Sequence, residues 1–255
     1  GPADVRDTMA YNDHTTSSIA ATYDLSDTTT LVAGFHEGMT PMFGADPEEA
    51  DNMELGVRYS EGTTNVEAFY FASDYSRLAA ECTLVSGAAC DPDESAIFSG
   101  GEAEVTGLEL NGSMIVEGDG VSYPISISWT NTDATFKNSS DSDYFGKVAA
   151  GDDLPYIPSR QFSIVAGFVS DNGLRGSARL VNVGSSCSLA ACGVYNKIDS
   201  HSYLDLSLRK ALNDSMDVYL IVENTTNRED LISRAPSEGA RSQKPRTMKL
   251  GFSYN

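Results

Sequence analysis

Along most of the chain apolar and polar residues alternate one by one. The clearest run is the last, where Met248, Leu250, Phe252 and Tyr254 fall on one side and Thr247, Lys249, Gly251 and Ser253 on the other. A period of two marks a strand with one apolar face, because successive side chains of an extended backbone point to opposite sides. The same alternation sets Leu204, Leu206 and Leu208 against Asp205, Ser207 and Arg209, and Phe162, Ile164, Ala166 and Phe168 against Gln161, Ser163 and Gly167. It also sets Tyr123, Ile125, Ile127 and Trp129 against Ser126, Ser128 and Thr130. Weaker versions occupy 19–23, 31–35, 55–59, 66–72, 105–115, 174–180 and 218–222. No stretch keeps a 3.6-residue apolar period for three turns, so the pattern predicts an all-β chain of about eleven strands.

A soluble β-sandwich alternates in the same way, so the connections have to discriminate. Short turns at 26–28, 61–63, 117–120, 170–173 and 211–215 take turns with long loops at 38–53, 76–101, 137–159, 184–200 and 225–245. In an up-and-down meander every second connection lies on the same side, which gathers the short turns on one rim and the long loops on the other. That sorting is the pattern of outer-membrane barrels, with short periplasmic and long extracellular connections. The expected fold is therefore an antiparallel up-and-down transmembrane β-barrel segment. A passive porin-like or structural barrel and a soluble acidic sandwich or adhesin are the alternatives. Eleven is an odd number, and an open sheet in hydrocarbon leaves edge amides and carbonyls unpaired at several kcal/mol each. The chain is expected to be part of a larger barrel, or to pair with another copy or another fragment.

Composition narrows the partners. With 17 Lys and Arg against 37 Asp and Glu, the formal charge of −20 argues against nucleic acid, whose binding needs clustered cations. No window is long and apolar enough for a membrane helix, and the N-terminal Gly1-Pro2-Ala3-Asp4 lacks a signal-peptide pattern, so any secretion signal is expected upstream. Barrel strands need only about 9 to 11 alternating residues, so a mean hydropathy of −0.25 is compatible with a bilayer. The four cysteines form two local pairs, Cys82 with Cys90 and Cys187 with Cys192. Neither spacing is that of a zinc ribbon and there are only three histidines, so two disulfides in an oxidising compartment are expected.

Four stretches resemble the barrels of TonB-dependent receptors. They are the run from Pro47-Glu48 through Asn52, Glu54-Leu55-Gly56 and Tyr59, the run Gly151-Asp152-Asp153-Leu154-Pro155-Tyr156-Ile157-Pro158, the run Glu223-Asn224 with Asn227 and Asp230, and the closing segment from Gly239-Ala240-Arg241 through Pro245 to Tyr254. The loop bounded by Cys82 and Cys90 leans toward the ferric citrate and siderophore branch. The resemblance implies a 22-stranded barrel with an N-terminal plug and a TonB box in the Gram-negative outer membrane, importing a ferric chelate. Residues 1–255 would supply the last eleven strands. The outer-membrane lipid, the missing N-terminal barrel half and plug, TonB and the iron chelate are then the partners. The chelate is cargo, and no cofactor is expected. Without plug and TonB box this segment alone is not expected to perform gated transport. The family usually ends in an aromatic residue, whereas the sequence stops at Asn255, so one further residue is expected.

An enzyme is not expected, because His14, His36 and His201 lie far apart and no paired-carboxylate motif stands on adjacent elements. Acidic clusters at 46–51, 91–94, 141–143 and 152–153 lack the ordered spacing of a calcium loop and read as solvated surface. An anionic chelate is best held by charge-assisted hydrogen bonds from arginine. The candidates are Arg77, Arg160, Arg234 and Arg241 on or beside long loops, with His36 and Gln161 near strand ends facing the lumen. Tyr59, Tyr70, Trp129 and Tyr254 are expected in lipid-facing aromatic girdles.

Overall fold

The structure, a computed structural model, describes residues 14–41, 47–81, 97–142, 146–234 and 239–254. One antiparallel sheet dominates. Its strands are β1 (Ser18–Ser26), β2 (Thr29–Thr40), β3 (Glu48–Glu61), β4 (Thr64–Glu81), β5 (Ile97–Gly118), β6 (Val121–Phe136), β7 (Arg160–Ser170), β8 (Leu174–Val183), β9 (His201–Asn213), β10 (Met216–Glu223) and β11 (Thr247–Tyr254). Each pairs with its neighbours in chain order, as an up-and-down meander requires. The eleven expected strands are all present, in a single curved sheet rather than the two packed sheets of a sandwich.

Directly paired residues share a face, so the register can be followed around the wall. One rung runs Tyr59, Val66, Gly112, Ile127, Ile164, Leu180 and Leu204 from β3 to β9. The next runs Arg58, Glu67, Asn111, Ser128, Ser163, Val181 and Tyr203 on the other face. The apolar face also carries Tyr70, Trp129 and Tyr254 by the same register. In a barrel that spans a bilayer the apolar face meets lipid and the polar face lines the interior, and on that polar face a trough of about 880 Å³ opens between β4 and β10. Apolar side chains thus face outward to lipid and polar ones face the lumen.

The connections sort as the pattern implied. Tight turns separate β1 from β2, β3 from β4, β5 from β6, β7 from β8 and β9 from β10. Gly62 and Gly120 take φ of 57° and 69° in two of them, a left-handed conformation that hairpin turns require and glycine adopts without steric cost. The opposite rim differs from the expected loops. The β2–β3 ladder continues to Thr40 and Glu48, and β4 and β5 reach Glu81 and Ile97, so much of 38–53 and 76–101 is strand. Above the hydrocarbon both faces of a ladder tolerate polar residues, and alternation fades while pairing persists.

The same rim holds the buried apolar cluster. Ala103, Ala134 and Phe136, on the inward face of β5 and β6, pack with Val148, Leu154 and Ala190 from the loops. Three short ladders stiffen those loops: Ser140–Ser142 with Gly146–Val148, Ser186–Cys187 with Lys197–Ile198, and Leu231–Ser233 with Arg241–Ser242. Cys187 and Cys192 are joined as expected, with their Cα atoms 5.6 Å apart. Cys82 and Cys90 lie outside the described residues, as do Asp46, the 91–94 cluster and Asp143.

The two outermost strands show what the sheet lacks. Leu250 and Phe252 on β11 are 83% and 74% exposed, against 36% for Ile127 in the middle of the wall. Among the described residues neither β1 nor β11 has a second neighbour, so each presents a row of backbone groups to be paired.

Candidate functional site

A transported solute meets the inward wall and the long-loop rim, so chemistry is sought there. On the β2–β5 side the wall carries Arg58, Glu54, Glu67 and Glu109. Arg58 Nε donates to Glu67 Oε1 at 3.0 Å and its guanidinium lies 5.3 Å from the centre of the Phe69 ring. Phe69 and Phe71 lie flat against the wall because Gly56 and Gly107 leave them room: a Cβ on either glycine would fall within 2.5 Å of a ring carbon.

The β5–β9 side, toward the tight-turn rim, has a floor of small residues. Ser113, Ser126, Gly167, Ser177 and Ser207 line the trough, and Ser177 and Ser207 share a hydrogen bond of 2.8 Å. Beside them Arg175 and Arg209 stand directly opposite each other on β8 and β9. Like charges in that relation repel. Asp217 on β10 offsets the repulsion, lying 3.9 Å from Arg175 and 3.5 Å from Arg209, and Ser253 on β11 donates to the same carboxylate oxygen. Arg209 also lies 5.5 Å from the centre of the Tyr219 ring. Two guanidinium groups thus share one carboxylate, which leaves a positive charge beside the hydroxyl-lined floor.

The long-loop rim is held by ion pairs. Lys137 donates to Asp74 at 2.7 Å, and that hydrogen bond raises the lysine pKa above its ordinary value. Lys244 and Lys249 both donate to Glu223, and those two bonds hold its carboxyl down at about 2. The Ser17 backbone N–H donates to Glu37.

The six candidates drawn from the sequence do not converge on one place. His36 and Gln161 lie on inward rungs at the loop rim, His36 beside Asn52 on β3 and Gln161 beside Thr130 on β6. They are five strands apart, roughly 24 Å at ordinary strand spacing. Arg160 shares the outward rung of Asn131 and Leu108. Arg77 sits in a bulge of β4 with φ of 58° and binds Glu49 and the Pro47 carbonyl, so it staples the start of β3 to the upper part of β4. Arg234 donates to the Lys197 carbonyl at 2.7 Å and ties two loops together. Arg241 is exposed on a short ladder opposite Ser233. The inward cations Arg58, Arg175, Arg179 and Arg209 lie on strands and not beside the long loops, outside the set that loop position singles out. Their signal was present as charged residues at polar positions of alternating strands, and Arg209 was visible opposite Leu208. Among the described residues no group of three His, Cys, Asp or Glu is placed to hold a metal ion.

A family profile described as "TonB dependent receptor-like, beta-barrel" matches residues 2–224. The chain belongs to that family. It is accordingly an outer-membrane β-barrel chain of the Gram-negative type, and not an enzyme. Solved structures agree on the fold. The ferric citrate transporter FecA in its unliganded form superposes with a TM-score of 0.75 at 17% identity, over 94% of this chain and 38% of that one. The siderophore receptor PiuA from Acinetobacter baumannii gives 0.75 at 16%, over 93% and 35%. The pyoverdine receptor FpvA from Pseudomonas aeruginosa PAO1, bound to pyoverdine, gives 0.71 at 17%, over 93% and 35%. The chain thus spans little more than a third of the structures it matches. Comparison with curated protein sequences gives no match.

Proposed function

We propose that this TonB-dependent receptor β-barrel chain is the C-terminal half of the barrel of a receptor that takes up a ferric chelate with energy delivered through TonB. The observation that carries the reading is that the described residues form an open eleven-stranded sheet with both edges running the same way. Strand β1 descends from the long-loop rim to the turn before β2, and β11 descends from Thr247, opposite Glu223, to Tyr254, opposite Met216 beside the β9–β10 turn. A second copy inserted in the same orientation would bring descending strands together and make a parallel seam in an antiparallel barrel. The body that closes the wall therefore has an odd number of strands, and its own outermost strands ascend. An N-terminal half of eleven strands in the same polypeptide meets both conditions, and it leaves a lumen wide enough for a plug.

The class of cargo rests on what the structural relatives carry: one is named a ferric citrate transporter, one a siderophore receptor, and one is bound to pyoverdine. The test has two readings taken from the same cells. Intact mass of the outer-membrane species that contains this chain is expected at about three times its 27.3 kDa. Iron-starved cells are expected to accumulate radioiron from a ferric chelate only while TonB is present. A stable species of the mass of this chain alone, or uptake that survives deletion of TonB, would overturn the proposal.

A further inference from the structure

The inward wall holds a feature that surface capture of a chelate does not need. The trough of about 880 Å³ lies in the half of the wall nearest the tight-turn rim, far from the long loops. Ser113, Ser126, Ser177 and Ser207 face it with hydroxyl groups, Gly167 removes the side chain altogether, and the apolar Ile115, Val165, Val169 and Ile221 stand between them. At its lower end Arg175 and Arg209 are paired across β8 and β9 against the single carboxylate of Asp217. The next inward carboxylate on that rung is Glu117, three strands away on β5. Among the described residues these side-by-side arginines share one carboxylate, an arrangement whose repulsion costs the wall stability. They recognise an anion well, because guanidinium forms paired hydrogen bonds to carboxylate and phenolate oxygens.

We propose that this trough is a relay site on the passage route, which receives an anionic, oxygen-rich iron chelate after it leaves the outer mouth. The proposal rests on the transport reading above. Hydroxyl groups on the floor solvate the ligand oxygens, the small residues admit its bulk, and the Arg175 and Arg209 pair exchanges part of its contact with Asp217 for the passing anion. Sharing with Asp217 keeps the hold weak enough for release toward the periplasm.

The test uses the complete receptor in iron-starved cells and three radioiron probes: ferric citrate, a ferric tris-catecholate and a ferric trihydroxamate. The first two are anions and the third is neutral. Surface binding is measured without TonB, and uptake with it. Ser177→Trp fills the trough and is expected to leave surface binding within about twofold while uptake falls roughly tenfold or more. Arg175→Gln keeps the volume and is expected to slow uptake of an anionic probe roughly tenfold, the loss of one charge-assisted contact. Uptake at the unmodified rate in either variant would overturn the relay site. So would surface binding that falls in step with uptake, since the trough would then seat another part of the receptor. Uptake by the unmodified receptor of the neutral probe alone overturns the anionic class. If that receptor accumulates none of the three, the transport reading is what fails.

Discussion

Ile127 and Ser128 are consecutive residues of β6, and they show how differently the two faces of one strand are built. Ile127 belongs to an outward rung with Ile164 and Leu180, where the partner is fluid hydrocarbon and an apolar side chain is required. Ser128 belongs to an inward rung between Asn111 and Ser163, where the partner is water, cargo or another part of the receptor. The outward face is constrained chiefly by polarity, with shape entering where a glycine makes room for a neighbour, as Gly176 does for the Phe168 ring, and the inward face is constrained by shape and charge together. One substitution placed on each face separates the two. Ile127→Arg is expected to cost about 2 to 4 kcal/mol of folding free energy in a bilayer, the range for arginine near the hydrocarbon midplane. Ser128→Arg is expected to cost no more than ~1 kcal/mol, because its side chain reaches the aqueous interior. Folding titrations of the two variants of the complete receptor in lipid vesicles check this, and equal losses would remove the assignment of faces.

Within the inward face the constraint on shape can be broken separately from polarity. Gly107 and Gly34 both lie on inward rungs, yet a Cβ at Gly107 would meet the Phe71 ring and the Asn131 carbonyl at 2.4 Å, whereas one at Gly34 meets nothing within 4 Å. Gly107→Ala is expected to cost about 1 to 3 kcal/mol as the ring is driven off the wall. Gly34→Ala is expected to be neutral or to stabilise slightly, by about 0.4 to 1 kcal/mol, because alanine restricts the unfolded chain. The same titration reads both. A Gly107→Ala variant as stable as the parent would mean that the Phe71 ring yields freely and that shape does not constrain this inward position.

The same contrast explains which parts of the molecule the amino-acid order discloses. The outward face is written in a local code, so the strands, the lipid-facing positions of Tyr59, Tyr70, Trp129 and Tyr254, and the sorting of turns and loops all follow from alternation. The Cys187–Cys192 bridge was equally local. What needs register stayed hidden. Arg175 and Arg209 are 34 positions apart, and only the pairing of β8 with β9 sets them side by side against Asp217. Candidates chosen for lying beside loops therefore included Arg77 and Arg234, whose side chains bind neighbouring segments, and Arg160, which the register turns outward. The upper parts of β4 and β5 were hidden for another reason: beyond the bilayer nothing enforces alternation, although the ladder continues.

The smallest expected effect concerns charge on the inward face at the loop rim. Glu223, the last residue of β10, accepts hydrogen bonds from Lys244 in the adjoining loop and from Lys249 on β11, which lower its pKa from 4.5 to about 2. A carboxyl whose folded pKa is depressed contributes stability above its ordinary value, and loses that contribution as pH falls through the interval down to the folded value. The window here runs from 4.5 to about 2. The carboxylate is partly exposed and its pairs are screened by salt, so the consequence is local loosening of the β10–β11 ladder rather than unfolding. Amide exchange at Thr247 and Lys249 is expected to quicken, relative to the rest of the wall, as pH is lowered from about 6 to about 3. Glu223→Gln is expected to show the quickened exchange already at pH 6, with no further change across the window. Retention of the parent's pH profile by Glu223→Gln would assign the loosening to another group. It would also mean that charges at the rim, unlike Arg175 and Arg209 below, are not tied to particular partners.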